Sequence, residues 1–253
     1  MIPILKSNQM SEISNQVKRY LMTIDSQRYV IYNYDYFTTQ YHIPHDTNIR
    51  IPEEYRILLN LTKKISQNRV VVDVGGNCGL FSIPTTMEGY KVYTFEPVSM
   101  NVEILELNKK ENNCTNMTIV PKALSNFNGT KKIYVPYCSD NTSFDLSVAV
   151  SNMKNKNYRE ENVECITFDT WLDENENPDV GFIKIDVQGF EYEVLLGMQK
   201  FLSQCSNVYL FLEWDERHTS KAGSSLSQIE SFLNSNGFNF AEKFYGDNLF
   251  YKS

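Results

Sequence analysis

The stretch Val70-Val71-Val72-Asp73-Val74-Gly75-Gly76-Asn77-Cys78-Gly79-Leu80-Phe81-Ser82 decides the fold. It begins with a run of β-branched apolar residues, which is typical of a strand buried on both faces of a parallel sheet. A glycine-rich turn follows, and the segment after the turn can begin a helix. In an open α/β sheet, such a unit binds its ligand at the carboxyl end of the strand, next to the helix N-terminus. We therefore expect a ligand site at this turn.

Strand and helix patterns alternate through the rest of the chain. The first part predicts strands at 70–74, 91–95 and 117–121 and helices at 79–88 and 99–112. The last part predicts strands at 180–185, 207–213, 238–244 and 248–252 and helices at 190–202 and 225–236. Two more predicted strands, 130–136 and 162–166, are separated by a polar loop at about 138–160, a length that is typical of binding or disordered segments. The alternation indicates an α/β fold, a largely parallel sheet with helices on both faces.

The residues before this domain have a different pattern. Apolar side chains at helical spacing predict a helix over 9–24. Residues 28–44 are rich in tyrosine and alternate well enough for a strand or a hairpin. Another helix begins near Pro52 and ends near residue 66. We therefore divide the chain into an N-terminal helical and Tyr-rich extension, 1–65, and a main domain, 66–253.

Composition narrows the class of protein. The 253 residues carry a net charge of −7, so the basic footprint of a nucleic-acid binder is missing. No apolar run approaches the roughly 20 residues that span a bilayer, and the N-terminus lacks a signal-peptide pattern. The five cysteines form no Cys-x-x-Cys pair. We expect a cytoplasmic protein with reduced thiols that acts on a small molecule and has neither a membrane nor a nucleic-acid partner.

The glycine turn indicates the cofactor, because it lacks two common nucleotide-binding motifs and resembles a third. A phosphate-binding Walker loop needs Gly-Lys-Ser/Thr, which is not present. The dinucleotide fingerprint Gly-x-Gly-x-x-Gly fails because position 74 is Val74. The remaining pattern of Asp73, Gly75, Asn77 and Gly79 resembles the first motif of class I methyltransferases that use S-adenosylmethionine. Asp73 would accept from the ammonium group of the ligand, directly or through water, and the amides of the turn and of the helix start would bind its carboxylate.

A second acidic residue supports the same cofactor. Glu96 follows the strand at 91–95 and precedes Pro97, where a carboxylate can accept hydrogen bonds from both ribose hydroxyls. This feature fits NAD as well as S-adenosylmethionine, but the failed dinucleotide fingerprint favours S-adenosylmethionine. In class I methyltransferases the residues after the third strand border the adenine, so Ala123 and Leu124 could line it. A Rossmann-like domain that binds an unrelated ligand remains the alternative.

A further motif reads Gly181-Phe182-Ile183-Lys184-Ile185-Asp186-Val187-Gln188-Gly189-Phe190-Glu191 and is followed by Val194-Leu195-Leu196-Gly197. It resembles the hallmark of the FkbM family of S-adenosylmethionine-dependent methyltransferases. Glu96-Pro97 with Asn101, Leu105 and Asn108 matches its second motif, and 166–172 matches a third, with Phe168 where leucine is usual. Gln188 stands where the family usually has Glu. The resemblance covers about 68–253 and implies a Rossmann-like class I fold with a seven-stranded sheet, and O-methylation of polyketides, sugars or other small molecules.

Candidate catalytic residues lie where the strands end. Asp186 is the first choice to orient the acceptor hydroxyl, to take its proton or to hold a cation. Glu213 is the second, with Trp214 beside it as an acceptor wall, and His218 is a possible base because its ordinary pKa lies near neutrality. Glu191 could cap its helix or hold Lys184. Asp186, Glu213 and Asp215 could bind magnesium, but nothing in their spacing demands it, so we assign no metal ligand.

These observations predict an O-methyltransferase that uses S-adenosyl-L-methionine and acts on a hydroxyl of a small molecule, most simply a sugar or glycan precursor. The enzyme alternative is an RNA or nucleotide ribose methyltransferase, which requires a basic groove. The non-enzymatic alternative is a Rossmann-like binding module, which predicts loss of the cofactor motifs. The extension 1–65 is a candidate lid, acceptor-recognition element or homodimer contact.

Overall fold

A computed structural model describes residues 17–24, 27–34, 48–50, 53–136, 141–151, 158–244 and 246–253. The strands are β1 (Val17–Ile24), β2 (Gln27–Tyr34), β3 (Asn48–Arg50), β4 (Val70–Val74), β5 (Lys91–Phe95), β6 (Met117–Val120), β7 (Ala123–Leu124), β8 (Gly129–Pro136), β9 (Tyr158–Ile166), β10 (Val180–Ile185), β11 (Val208–Glu213), β12 (Asn239–Lys243) and β13 (Asp247–Lys252). The helices are α1 (Glu53–Thr62), α2 (Ser82–Met87), α3 (Ser99–Glu111), α4 (Leu146–Ala149), α5 (Phe168–Glu174), α6 (Glu191–Leu196), α7 (Gln199–Gln204), α8 (Glu216–Lys221) and α9 (Leu226–Ser235).

The central sheet has seven strands in the order β12-β13-β11-β10-β4-β5-β6, and only β13 runs against the others. The predicted α/β fold with a mostly parallel seven-stranded sheet is therefore confirmed. The chain adds β5 and β6 on one side of β4, and β10 and β11 on the other. Strand order thus reverses between β4 and β10, and ligands bind at such a point in open α/β sheets.

Helices cover both faces of the sheet, so that β4 and β10 bury every side chain. On one face, Val72 and Ile183 belong to a core cluster that includes Leu195 of α6. On the other face, Val71 and Phe182 pack in a cluster with Leu58 of α1. Alternate side chains of a strand point to opposite faces, so a strand buried on both sides needs the continuous apolar run seen at 70–74.

The predicted helix over 9–24 is wrong where the structure describes it, because 17–24 is strand β1. β1 and β2 form an antiparallel hairpin, and β3 joins β1 in parallel. Tyr20, Met22 and Ile24 are buried, whereas the residues between them are less so. This period of two favours a strand, and the helical spacing read from the sequence is compatible with it by coincidence. Residues 9–16 and 35–44, which belong to the helix and hairpin predictions, lie outside the described residues.

Asn108 of α3 and Asn112, which caps the C-terminus of this helix, bind the hairpin to the main domain. Asn112 accepts from Val30 N at 2.8 Å and donates to Val30 O at 2.6 Å. Asn108, one helical turn earlier, does the same with Tyr32 at 2.6 and 3.0 Å, and also donates to Cys78 O at 2.7 Å. These pairs satisfy the outer edge of β2, so the hairpin packs as part of the main body.

Other predictions need correction in detail. The predicted helix 190–202 is two helices, α6 and α7, separated at Gly197, where a Cβ would lie 2.0 Å from Ser125 O. The predicted helix 79–88 begins at Ser82. The 138–160 loop contains the short helix α4, and β8 and β9 on either side of it pair in a second three-stranded sheet, β7-β9-β8. Helices α5 and α8 are additional to the prediction. Within the described ranges, no helix has the length and apolar character needed to cross a bilayer.

Candidate active site

A pocket opens at the carboxyl ends of β4, β5 and β10, where the strand order reverses. Most of the predicted cofactor residues line it together: Asp73, Gly75, Asn77, Glu96, Pro97, Ala123 and Asp186. Gly79 instead packs against the protein, because a Cβ there would lie 2.9 Å from Leu105 Cδ2. Asn33 and Tyr55, from outside the predicted main domain, also line the pocket, and the sequence pattern gave no signal for them.

The glycine turn is closed onto its neighbouring loops. Gly75 has a φ of +84°, and a Cβ at this position would lie 2.0 Å from the carbonyl oxygen of Asp186. The amides of Gly75 and Gly76 both donate to Phe95 O at 3.0 Å, and Asn77 N donates to Glu96 Oε2 at 2.9 Å. The amides of residues 75–77 thus fasten the end of β4 to the end of β5, and the expected contact with the ligand carboxylate stays a prediction for the amides at the start of the helix.

Asp73 is almost completely buried beneath the turn, with 1% of its surface exposed. Its Oδ2 accepts from Ser82 Oγ at 2.6 Å, and its Oδ1 lies 3.6 Å from Lys184 Nζ. Burial raises the pKa of Asp73, and Lys184 and the Ser82 hydrogen bond oppose that rise. Oδ1 accepts no hydrogen bond from the described residues.

Glu96 is also buried, but the protein holds both of its oxygens. Oε2 accepts from Asn77 N, and Oε1 accepts from Val98 N at 2.9 Å and from Asn101 Nδ2 at 3.3 Å. Burial raises the pKa of Glu96 to about 7, and the amide hydrogen bonds limit the rise. Oε2 retains a free lone pair for one ligand hydroxyl, and a second hydroxyl could bind Oε1 by replacing the long contact from Asn101 Nδ2.

The part of the pocket beside the second sheet is apolar. Ala123, Leu124 and Ile133 line it together with Phe144 and Phe190, whose rings meet edge to face with centroids 5.3 Å apart. Such walls suit a flat heteroaromatic ring. Phe144 was not singled out from the sequence, although it lies in the loop whose length indicated a binding role. The structure places residues 142–144 of that loop in the pocket.

A second hollow adjoins the first. Asp186 lies on the wall shared by both, together with Lys184 and Tyr55. Glu213, the last residue of β11, and Trp214 after it line the second hollow and not the first. A group bound in the first pocket and a group bound in the second would therefore meet at Asp186.

Lys184 joins the acids of β4 and β10. Its Nζ lies 3.2 Å from Asp186 Oδ2 and 3.6 Å from Asp73 Oδ1, and 8% of its side chain is exposed. The two strands set this contact, because Lys184 and Asp73 are partners in their parallel register. Burial alone lowers the pKa of Lys184, but the charges of Asp186 and Asp73 outweigh it and raise the pKa above its ordinary value. Lys184 is therefore a fixed cation under the site.

Gln188 joins the acids of β10 and β11. Its Nε2 donates to Asp186 Oδ1 at 2.9 Å and to Glu213 Oε1 at 3.3 Å. Burial, followed by the charges of Asp186, Asp247 and Asp215, raises the pKa of Glu213 well above the ordinary range, and Lys184 opposes the rise. Asp186 is the more accessible of the two acids, with 36% of its side chain exposed against 18% for Glu213.

The structure places His218 behind Glu213. Its Nδ1 lies 3.6 Å from Glu213 Oε1, and the residue is 7% exposed. Its backbone oxygen also packs against Gly189, where a Cβ would lie 2.6 Å away. His218 thus supports Glu213 from the protein side. The carboxylate of Glu191 fastens the loop before α6 rather than the first turn of the helix, since Oε1 accepts from Val187 N at 3.0 Å and from Gly189 N at 3.2 Å.

Asp215 differs from its acidic neighbours because Arg217 binds it. Hydrogen bonds from Arg217 lower the pKa of Asp215 to about 2. In the part of the chain that the structure describes, no three His, Cys, Asp or Glu side chains are grouped as ligands of a metal ion.

Several solved structures resemble the chain in fold. Magnesium protoporphyrin IX methyltransferase (ChlM) from Synechocystis PCC 6803 with bound SAM is 15% identical, with 78% of this chain and 76% of that chain covered and a TM-score of 0.46. Precorrin-6y C5,15-methyltransferase from Geobacter metallireducens GS-15 is 14% identical, with 80% and 90% covered and a TM-score of 0.47. The putative RNA methyltransferase PH1948 from Pyrococcus horikoshii is 15% identical, with 79% and 82% covered and a TM-score of 0.42. No curated protein matches the sequence.

The family itself is identified from the sequence. The profile of the methyltransferase FkbM domain matches residues 73–240, which run from Asp73 at the end of β4 into β12. The residues in the pocket fit S-adenosylmethionine, the methyl donor that the family resemblance implies. Buried oxygens of Asp73 and Asn77 have no hydrogen-bond partner among the described residues. The same pocket is lined by Glu96 and by apolar side chains. The chain belongs to the FkbM family of S-adenosylmethionine-dependent methyltransferases.

Proposed function

We propose that this protein transfers a methyl group from S-adenosylmethionine to a hydroxyl oxygen of a small molecule, specifically a sugar or glycan precursor. The observation that carries the proposal is the position of Asp186. Its carboxylate lies on the wall shared by the cofactor pocket and the second hollow. A hydroxyl bound in the second hollow would reach this carboxylate next to the cofactor.

The chain provides distinct groups for the two ligands. When bound, S-adenosylmethionine supplies a methyl group activated by its sulfonium. Glu96 would hold the ribose, Ala123 and Phe144 would flank the adenine, and Asp73 with Asn77 would face the methionine end. Asp186 would orient the acceptor hydroxyl and take its proton, because it is the accessible carboxylate at the junction.

The second hollow has the chemistry that sugars require. Trp214 presents an aromatic face, and Glu213 and Asp247 provide carboxyl oxygens that can accept from hydroxyls. Lys184 already pairs with Asp186, and Arg217 with Asp215, so the cations on this wall are occupied. An uncharged polyol would bind here at less electrostatic cost than an anion.

The test is an acceptor screen with methyl-labelled S-adenosylmethionine. Nucleotide sugars, methyl glycosides, nucleosides and structured RNA are the substrates to compare, with Asp186→Asn as the catalytic control. The proposal predicts label on a sugar oxygen with the wild type and a rate at least about 100-fold lower with the variant, as removal of a general base entails. Label on RNA alone, or equal rates for both proteins, would contradict it.

We also infer a cytoplasmic location and propose that the extension 1–65 forms a homodimer contact. The location is supported by Cys78, Cys114, Cys165 and Cys205, the cysteines in the described ranges, which are all free thiols. Thiols of this kind are typical of a reducing compartment. Light scattering of the full chain tests the contact: the mass of a dimer would support it, and the mass of a monomer would contradict it.

A further inference from the structure

Gln188 lies between the two acids of the site. Its side-chain NH2 group has two protons, and the distances from Nε2 allow one for Asp186 Oδ1 and one for Glu213 Oε1. An ionised carboxylate at this position could only accept, and it would add a negative charge beside Asp186 and Glu213. The neutral amide is therefore the feature that lets both acids approach one point.

The loop that carries Gln188 is fixed in an unusual conformation. Gln188 has a φ of +54° and Gly189 has a φ of +98°, both in the left-handed region. Glu191 Oε1 accepts from the amides on either side of Gln188, and Ser143 Oγ donates to Gln188 O at 3.0 Å. A left-handed non-glycine residue is strained and persists only where its surroundings hold it. The backbone thus aims this side chain at the two acids.

The orientation of the amide follows from its neighbours. Reversing it would turn Oε1 toward two carboxyl groups, where it could not donate. In the observed orientation, Oε1 is buried and accepts no hydrogen bond from the described residues. A buried unpaired amide oxygen is uncommon and unfavourable. The hydrogen bonds of Nε2 to Asp186 and Glu213 are therefore the interactions that keep the amide of Gln188 in this orientation.

We propose that Gln188 is a positioning residue of the methyl-transfer site, whose amide holds the carboxyl groups of Asp186 and Glu213 side by side at the junction of the two pockets. This rests on the proposed function for its role in catalysis, but the geometry can be tested without methyl transfer. Asp186 would then keep its remaining lone pairs directed to the acceptor, with Lys184 and Gln188 holding its two oxygens from behind.

Glu213 reports on this arrangement because it titrates in a crowded environment. The charged and titratable groups that face it come from four elements and the loops beside them: Lys184, Asp186, Glu191, Asp215, Arg217, His218 and Asp247. A hydrogen bond from Gln188 favours the ionised carboxylate against the surrounding acids. Removing that donor should move the pKa of Glu213 upward, and replacing it with a carboxylate should move it further.

The experiment is a carbon-13 NMR titration of the full chain labelled at the glutamate side-chain carboxyls, with Glu213→Gln to assign the signal. Gln188→Met removes the donor at nearly constant volume, and Gln188→Glu removes it and adds a charge. Gln204→Met, on the exposed end of α7, is the matched control. We expect the Glu213 midpoint to rise in the first variant, to rise more in the second with two coupled steps, and to stay unchanged in the control.

Unchanged titration of Glu213 in both Gln188 variants, or a lower midpoint in Gln188→Glu, would overturn the proposal. If either variant fails to fold by circular dichroism, Gln188→Asn gives the same readout, because its shorter amide cannot reach both acids. Since no acceptor is needed, failure here leaves the proposed function standing. Failure of the acceptor screen, in turn, leaves this positioning role intact.

Discussion

Lys184 Nζ lies 3.2 Å from Asp186 Oδ2, and its other partner is the buried Asp73. Removing this cation with Lys184→Met would leave two acids without a counter-charge. Breaking a buried ion pair from one side typically costs about 3–5 kcal/mol, and we expect about 3 because Asp186 is partly exposed. Urea unfolding measures this loss. Lys200→Met is the control, since Lys200 pairs with Asp173 on the surface, where such pairs contribute about 0–1 kcal/mol; equal losses would contradict a buried role.

Gly75 must be glycine for two reasons, its left-handed backbone and the carbonyl of Asp186 beside it. Gly223 has a similar φ, +95°, but a Cβ there would meet nothing within 4 Å. Gly223→Ala should therefore cost only the strain of about 1–2 kcal/mol. Gly75→Ala should cost roughly 1–3 kcal/mol more through overpacking, and it should also abolish binding of S-adenosylhomocysteine. Unfolding and calorimetry check both; a Gly75→Ala protein that behaves like Gly223→Ala would refute the close approach.

Glu96 should make cofactor binding depend on pH. Burial raises its pKa to about 7 in the free protein, and two ribose hydroxyls that donate to the carboxylate would lower that pKa on binding. Binding then favours the ionised form, so the affinity for S-adenosylhomocysteine should rise between pH 6 and pH 8 with release of protons. Calorimetry in buffers of different ionisation enthalpy measures that release. Glu96→Gln should bind more weakly and without the pH dependence. If the affinity of the wild type fell between pH 6 and pH 8, the ligand would favour the protonated form of Glu96, which would contradict the prediction.

Asn108 of α3 and Asn112 at its C-cap should control the stability of the hairpin. Asn112 pairs with both backbone groups of Val30, and Asn108 with those of Tyr32. Each alanine substitution leaves partly buried backbone groups of β2 unpaired, and we expect a cost near the lower end of about 1–3 kcal/mol. In Asn112→Ala, hydrogen exchange at Val30 N should quicken, whereas Ile31, whose partner is Tyr20 of β1, should change less. If hydrogen exchange quickened equally at Val30 N and Ile31 N, the hydrogen bonds from Asn112 would have no local effect on the hairpin.

Much of the fold could be predicted because its signals are local. The unbroken apolar runs of β4 and β10 indicate strands buried on both faces, and the acids that end them indicate the site. β1 shows the limit of this reasoning, since its apolar spacing satisfies a helix as well as a strand, and only pairing with β2 decides. The break at Gly197 also depends on a distant residue, since Ser125 O occupies the space of its Cβ.

The arrangement of the site was less predictable for the same reason. The sequence indicates Asp186 and Glu213 as acids near the cofactor, but the contact of Lys184 with Asp73 depends on β4 and β10 being neighbours in register. The bridging position of Gln188 depends on the order of β10 and β11. The turn amides point into the protein because β5 ends beside them, which no spacing within the motif reveals.

The most direct test of the central claim is a calorimetric titration of the purified full chain with S-adenosylmethionine and S-adenosylhomocysteine, with NAD as the control. We predict that the two sulfur compounds each bind at one site per chain and that NAD does not bind. Absence of binding by both sulfur compounds, or binding of NAD in their place, would contradict the assignment of this pocket to methyl transfer.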